Sequence, residues 1–174
     1  MAGPCPTIAG IDGGVGGISI HPRHASQRHK GAPRYELVRD LVEELPVPVL
    51  VSGGLGTPQA VRAAFEQTDA AAVLLARGSL GNPWLFEQVL GERVSEPRRD
   101  EILDELDWVI ERAVEHLGLE RATRYLRKFY PWYVERLGGG KALQAALQTA
   151  PTLQAVRELL QGGTTPEPAR AAAA

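Results

Sequence analysis

The sequence has little cysteine and little net charge, and it lacks a long apolar run. Cys5 is the one cysteine among 174 residues, which excludes a disulfide within the chain and is typical of a reducing compartment. A formal net charge of −2 provides no overall basic field, so binding to nucleic acid would need a local basic patch. No apolar run approaches the roughly 20 residues of a membrane span. We expect a cytoplasmic protein with no membrane role.

The composition is that of a globular protein with a buried core, since 44% of the residues are hydrophobic and 23% are charged. Residues 1–16 are rich in Gly and Pro without a sustained period, which predicts an irregular segment. Over residues 17–95, short apolar β-type runs alternate three times with helical patterns. This alternation predicts three β/α units with a parallel sheet, because both faces of the run Pro46 to Val51 are apolar.

Strand signals disappear from Glu96 onward, and residues 96–161 predict an all-α helical domain. Apolar residues recur every three or four positions from Arg99 to Leu117. A second helix is predicted from Glu120 to Leu137, kinked or broken near Pro131, and shorter helices cover about 141–148 and 152–161. Residues 162–174 have little to bury, and we predict a disordered tail there.

The second and third predicted strands end in glycine-containing motifs, Ser52-Gly53-Gly54 and Ala76-Arg77-Gly78. Glycine lets backbone N–H groups approach an anion closely, and an arginine adds a fixed charge with fork geometry. In parallel α/β folds ligands bind beyond the carboxyl ends of the strands. The motifs therefore predict a phosphate site, although tight turns with a solvated Arg77 would explain the same residues.

Two residues after the first strand are further candidates for binding. His21 follows the strand directly and could donate a hydrogen bond to a cofactor, and Arg23 could contact phosphate or nucleic acid. His24 and His29 do not form a metal-ligand spacing with Cys5, so we propose no metal site.

The predicted second helix of the C-terminal domain carries a basic face. On a helical projection its basic residues fall on one side and its apolar residues on the other. The basic residues are Arg121, Arg124, Arg127 and Lys128. One interpretation is a solvated face offset by neighbouring acids, and the other is a patch that binds the backbone of structured RNA.

Read together and in order, these motifs resemble the tRNA-dihydrouridine synthase family over roughly Gly17 to Leu160. The matching strings are His21-Pro22-Arg23, Gln27, Gly31, Val49 to Gly54, Ala76-Arg77-Gly78-Ser79-Leu80-Gly81-Asn82-Pro83-Trp84, Leu126-Arg127-Lys128 and Trp132-Tyr133. The resemblance implies the last three β/α units of a (β/α)₈ TIM barrel that binds FMN, followed by a helical tRNA-binding domain.

The resemblance also implies an activity and the residues that serve it. The family reduces uridine in tRNA to 5,6-dihydrouridine with FMN, using NADPH as electron donor. By position, His21 would contact the flavin. The FMN phosphate would be held by Ser52, Gly53, Gly54, Ala76 and Arg77. The residues expected to contact RNA are Arg23, Arg124, Arg127 and Lys128.

Several positions depart from the family pattern. Ser52-Gly53-Gly54 replaces a usual Asn-Gly-Asp, and Ala76 replaces a usual glycine. The family's catalytic cysteine, in an Asn-x-x-Cys-Pro motif, has no counterpart, and Cys5 is not assigned that role because the asparagine is missing. We therefore expect a fragment with weak or no activity alone.

Three of eight strands cannot close a barrel, so truncation, dimerisation or a second chain completing it remain open. The alternative functions are a non-catalytic RNA-binding module and a phosphosugar-binding half-barrel.

Overall fold

The computed structural model describes residues 13–24, 26 and 31–162. The predictions for Cys5, Gln27, His29 and most of the C-terminal tail concern residues outside this set. The chain divides into two compact units, one ending at Ser95 and the other beginning at Glu96.

The first unit contains a three-stranded parallel sheet in the order β1-β2-β3. Its elements are β1 (Ile18–Ile20), α1 (Glu36–Glu44), β2 (Val49–Ser52), α2 (Pro58–Thr68), β3 (Ala72–Leu74), a 3₁₀ turn (Ala76–Ser79) and α3 (Trp84–Leu90). Ser19 pairs with Leu50, and Leu50 pairs with Ala72, so the three strands are in register. The three strands therefore end at a common edge, where His21 and the loops after β2 and β3 follow.

The core of the first unit lies between the sheet and its helices. Val49 and Val51 of β2 are buried and belong to one cluster with Val38 of α1 and Val61 of α2. The alternate residue Leu50 is only partly buried, and Leu74 of β3 is 41% exposed. The predicted parallel sheet is present, and over the described residues the face that carries Leu50 is covered less completely than the face that carries Val49 and Val51.

Two helix boundaries of the first unit follow from local chemistry. The Thr57 hydroxyl accepts a hydrogen bond from the Ala60 amide at 3.2 Å, and Pro58 occupies the first turn of α2. At the other boundary, Gly91 ends α3 with φ of +80°, a conformation that suits glycine. Both boundaries are therefore set by residue types that are typical of a helix start and a helix end.

The second unit is built from helices over its described residues. They are α4 (Arg99–Leu117), α5 (Leu119–Leu126), α6 (Tyr130–Arg136), α7 (Lys141–Thr149) and α8 (Leu153–Gln161). Helix α4 packs against α5 and α6, and α7 packs against α6 and α8. Ile102, Leu106 and Ile110 form the buried stripe of α4.

The helix predicted from Glu120 to Leu137 is two helices, α5 and α6, separated by residues 127–129. Pro131 lies in the first turn of α6, where its missing N–H breaks no helical hydrogen bond. A proline inside a continuous helix would have removed one such bond, so the chain starts a new helix around it. In the described part of the chain, no helix is long and apolar enough to cross a bilayer.

Candidate functional site

His21 and Ser52 meet at the carboxyl ends of β1 and β2. The Ser52 hydroxyl donates to the Ile20 carbonyl at 3.3 Å, and its oxygen lies 3.1 Å from Nδ1 of His21. The second ring nitrogen of His21, Nε2, lies 3.5 Å from Nη1 of Arg23. The two contacts place the ring of His21 between Ser52 and Arg23.

The turn Gly53-Gly54 follows β2 and requires glycine at both positions. The φ angles are +103° and +72°, in the region that L side chains rarely adopt. A Cβ at Gly53 would lie 2.6 Å from Cε1 of His21, and one at Gly54 would lie 3.1 Å from Cγ of Pro33. The backbone of the turn is therefore in close contact with the histidine ring and with the loop before α1.

Tyr35 also contacts the Gly53-Gly54 turn, and the sequence analysis did not identify it as a residue of the site. Its buried side chain donates a short hydrogen bond from the hydroxyl to the Gly53 carbonyl. Burial raises the pKa of the Tyr35 phenol, while the positive charge of Arg23 opposes this shift. The phenol therefore stays protonated and able to donate at neutral pH.

Arg23 makes contacts within the protein. Nη2 donates to the Gly31 carbonyl at 2.9 Å, and Nη1 approaches His21 as described above. Nε is buried and has no hydrogen-bond partner among the described residues. Arg23 thus joins Gly31, near the end of this loop, to His21 at its start. The role of Arg23 in RNA binding remains a prediction.

The loop after β3 lies against the loop after β2. A Cβ added at Gly78 would lie 2.0 Å from the Leu55 carbonyl oxygen, so the two backbones touch at this point. Arg77, next to Gly78, is exposed, and within the described residues its guanidinium has no hydrogen-bond or ion-pair partner. The loops that carry the two predicted phosphate-binding motifs are therefore neighbours at the carboxyl end of the sheet. The exposed guanidinium of Arg77 belongs to one of them.

The four basic residues predicted on one helix face have different environments. Arg124 pairs with Glu120 at 2.9 Å on the surface of α5. Arg127 is half-buried and donates from Nη2 to the Ala150 carbonyl at 3.2 Å, which holds the end of α7. The Lys128 ammonium lies 3.7 Å from the centre of the Tyr125 ring. Arg121 and Lys128 are exposed, and among the described residues neither has a carboxylate partner.

The family model for dihydrouridine synthase matches residues 9–167. The chain belongs to the dihydrouridine synthase family. A tRNA-dihydrouridine synthase B of Pasteurella multocida is 30% identical over 127 residues, which cover 70% of this chain and 38% of the relative. A probable tRNA-dihydrouridine synthase of Mycobacterium tuberculosis is 30% identical over 163 residues, or 89% of this chain and 42% of the relative.

A third relative, a probable tRNA-dihydrouridine synthase of Treponema pallidum, is 38% identical over 84 residues, which cover 46% of this chain and 25% of the relative. This dihydrouridine synthase chain therefore spans less than half the length of the curated relatives to which it is similar. A small parallel sheet with helices fits part of the barrel of that family.

One departure from the usual dihydrouridine synthase pattern now has a structural consequence. Ala76 stands where the family usually has glycine, and its φ is +46°, which places an L side chain in the left-handed region. Glycine adopts this conformation more readily, because in Ala76 the Cβ comes close to the backbone.

Proposed function

We propose that this chain supplies the phosphate side of an FMN site and a tRNA-binding surface for the reduction of uridine to 5,6-dihydrouridine in tRNA. The observation that carries the proposal is the close approach of Gly78, the neighbour of Arg77, to the backbone of Leu55, which follows Gly53-Gly54, in a member of this family. The chain covers less than half of its relatives, so the proposal concerns its contribution to the activity and assigns no catalytic residue to it.

The described residues fit a phosphate group in three respects. The Gly53-Gly54 turn has no Cβ atoms to block the approach of an anion to its backbone. Arg77 offers an exposed guanidinium that no other described group engages. Ser52 and Ala76 are the first residues of the two motifs. The contact of Gly78 with Leu55 keeps the two loops close together.

His21 would face the flavin from the end of β1. The contact of Nδ1 with the Ser52 hydroxyl oxygen at 3.1 Å would orient its ring there. FMN, reduced by NADPH, would supply a hydride to one carbon of the uracil double bond, and an acid that is not assigned to this chain would supply the proton to the other. The residues of this chain would bind and orient the cofactor, and the tRNA would meet the basic surface that includes Arg124 and Lys128.

The test is titration of the purified 174-residue chain with FMN, following flavin fluorescence and thermal stability together. We expect saturable binding that Arg77→Ala weakens at least about ten-fold, since a charge-assisted hydrogen bond contributes roughly 1.5–3 kcal/mol. Arg112→Ala is the matched control, because it removes an exposed arginine from the other unit, where it pairs with Glu115.

A folded chain that does not bind FMN would contradict the proposal. Binding that Arg77→Ala and Arg112→Ala weaken equally would also contradict it, because the effect would then depend on net charge and not on a phosphate site. Inorganic phosphate should compete with FMN for the wild-type chain and compete poorly in Arg77→Ala.

A further inference from the structure

An exposed aromatic ring lies among the basic residues of α5 and the turn that follows it. Tyr125 is 44% exposed, and it is spaced one helical turn from Arg121 and from Lys128. We call Arg121, Arg124, Tyr125 and Lys128 the aromatic–basic patch. The hydroxyl of an exposed tyrosine can remain in water while the face of its ring stays available for contact.

The neighbours of Tyr125 hold its ring in place. The ring centroid of Phe129 lies 5.4 Å away at a tilt of 50°, and that of Trp132 lies 6.1 Å beyond Phe129. The Lys128 ammonium lies over the same ring at 3.7 Å and over Phe129 at 5.0 Å. Phe129 packs directly against the exposed ring of Tyr125 and is itself packed by Trp132, so less side-chain freedom remains to be lost when a flat ligand stacks on Tyr125.

The charge around Tyr125 favours an anionic ligand. Arg124 is neutralised by Glu120, whereas Arg121 and Lys128 have no carboxylate partner among the described residues. Lysine carries a compact charge on a flexible stem, so its ammonium can exchange the weak contact with an exposed ring for a phosphate. The patch therefore presents a flat aromatic surface beside two cations that have no carboxylate partner among the described residues, the combination that binds single-stranded nucleic acid.

We propose that Tyr125 is a stacking platform for an unpaired base of RNA, with Lys128 and Arg121 on the flanking phosphates. The inference rests on the proposed function in taking tRNA as the partner, and it adds that a loop or otherwise unpaired nucleotide is held here. Paired bases are already stacked on both sides and present only phosphates and groove edges to this patch. The platform would therefore discriminate between unpaired and paired RNA.

The chain offers a natural contrast on α4. Trp108 is 58% exposed, more than Tyr125, but Asp104 and Glu111 lie one helical turn from it on either side. Their negative charges would repel the phosphates of a stacked nucleotide. Trp108→Leu therefore removes an exposed aromatic residue of similar accessibility without touching the proposed platform.

The experiment measures the affinity of the full chain for unmodified tRNA, an oligouridine 12-mer and a fully paired RNA duplex at fixed salt. Tyr125→Leu should weaken oligouridine binding roughly ten-fold, as expected for one stacked base, and should change duplex binding less than about two-fold. Tyr125→Trp should retain binding to oligouridine, and Trp108→Leu should bind all three RNAs like the wild type. Lys128→Ala should weaken both single-stranded and duplex RNA and lower the salt slope by about 1.

Two results would overturn the inference. One is oligouridine binding that Tyr125→Leu leaves unchanged, and the other is an equal loss on oligouridine and duplex. In both cases tRNA binding by the wild-type chain would still support the proposed function. A wild-type chain that binds no RNA would remove the RNA-binding part of the proposed function together with the platform.

Discussion

Backbone conformation at single residues decides the shape of the candidate phosphate site. Gly53 and Gly54 have positive φ angles, and Ala76 shares that conformation in the neighbouring loop. For an L residue this region costs roughly 1–2 kcal/mol relative to glycine, because Cβ approaches the backbone. Gly53 and Gly54 avoid this cost because they have no Cβ, whereas Ala76 does not avoid it.

Ala76→Gly should stabilise the chain. Removing the Cβ relieves the left-handed conformation, and the added entropy of glycine in the unfolded state offsets only part of the gain, so we expect roughly 1 kcal/mol. Urea unfolding measures the change. Ala63→Gly, in the interior of α2, is the matched control and should destabilise by about 1 kcal/mol. Equal losses in the two variants would show that Ala76 is not strained.

At the scale of elements, several helix boundaries depend only on residues that are close together in the sequence. The start of α2 follows from Thr57 and Pro58, and the end of α3 follows from Gly91. The break between α5 and α6 lies earlier than predicted, since Pro131 is compatible both with a kinked helix and with the first turn of a new one.

The contacts that sequence analysis missed join residues far apart in the chain. Tyr35 donates to Gly53 across 18 positions, and Arg127 donates to Ala150 across 23. Helical periodicity marked Tyr35 as the start of an apolar face and Arg127 as a member of a basic face. No local pattern reveals such a partner, whereas the glycines of the candidate site were predictable because the turn itself requires them.

Glu105 links α4 to α6 and should make stability depend on pH. Its carboxylate accepts a hydrogen bond from the Tyr133 hydroxyl at 3.5 Å. Burial raises the pKa of Glu105 above its ordinary value of 4.5, although the Tyr133 hydrogen bond opposes the shift. A raised pKa means that the folded state binds the proton more tightly, so this contribution is complete below about pH 4.5 and is lost as the pH rises through the folded-state pKa.

Glu105→Gln should remove this dependence while keeping an acceptor for Tyr133. Relative to the wild type, the variant should gain stability between pH 4 and pH 7 in urea unfolding. Asp100→Asn is a control of opposite sign, because hydrogen bonding to Arg98 lowers the pKa of the Asp100 carboxyl. That variant should lose stability relative to the wild type as the pH rises toward the ordinary Asp100 pKa of 3.8, and the difference should change little from about pH 5 to pH 7. A constant difference between Glu105→Gln and wild type would contradict the prediction.

At the scale of the whole molecule, the sheet of the described residues has two open edges. Over these residues β1 and β3 each have one neighbouring strand, and closure of a barrel would need further strands. Leu74 of β3 is 41% exposed. Each of the two compact units has buried residues of its own, so the groups proposed to bind phosphate and the aromatic–basic patch are supported by separate cores.

The separate cores predict that cofactor and RNA binding can be lost one at a time. Arg77→Ala should weaken FMN binding at least ten-fold and leave tRNA affinity within about two-fold, because Arg77 belongs to the first unit. Lys128→Ala should weaken tRNA and lower the salt slope by about 1, with FMN affinity unchanged. The measurements are FMN fluorescence titration and tRNA binding on the same preparations. If either variant weakened both ligands, the two units would not bind independently, since the removed charge contacts only one of the ligands in our proposal.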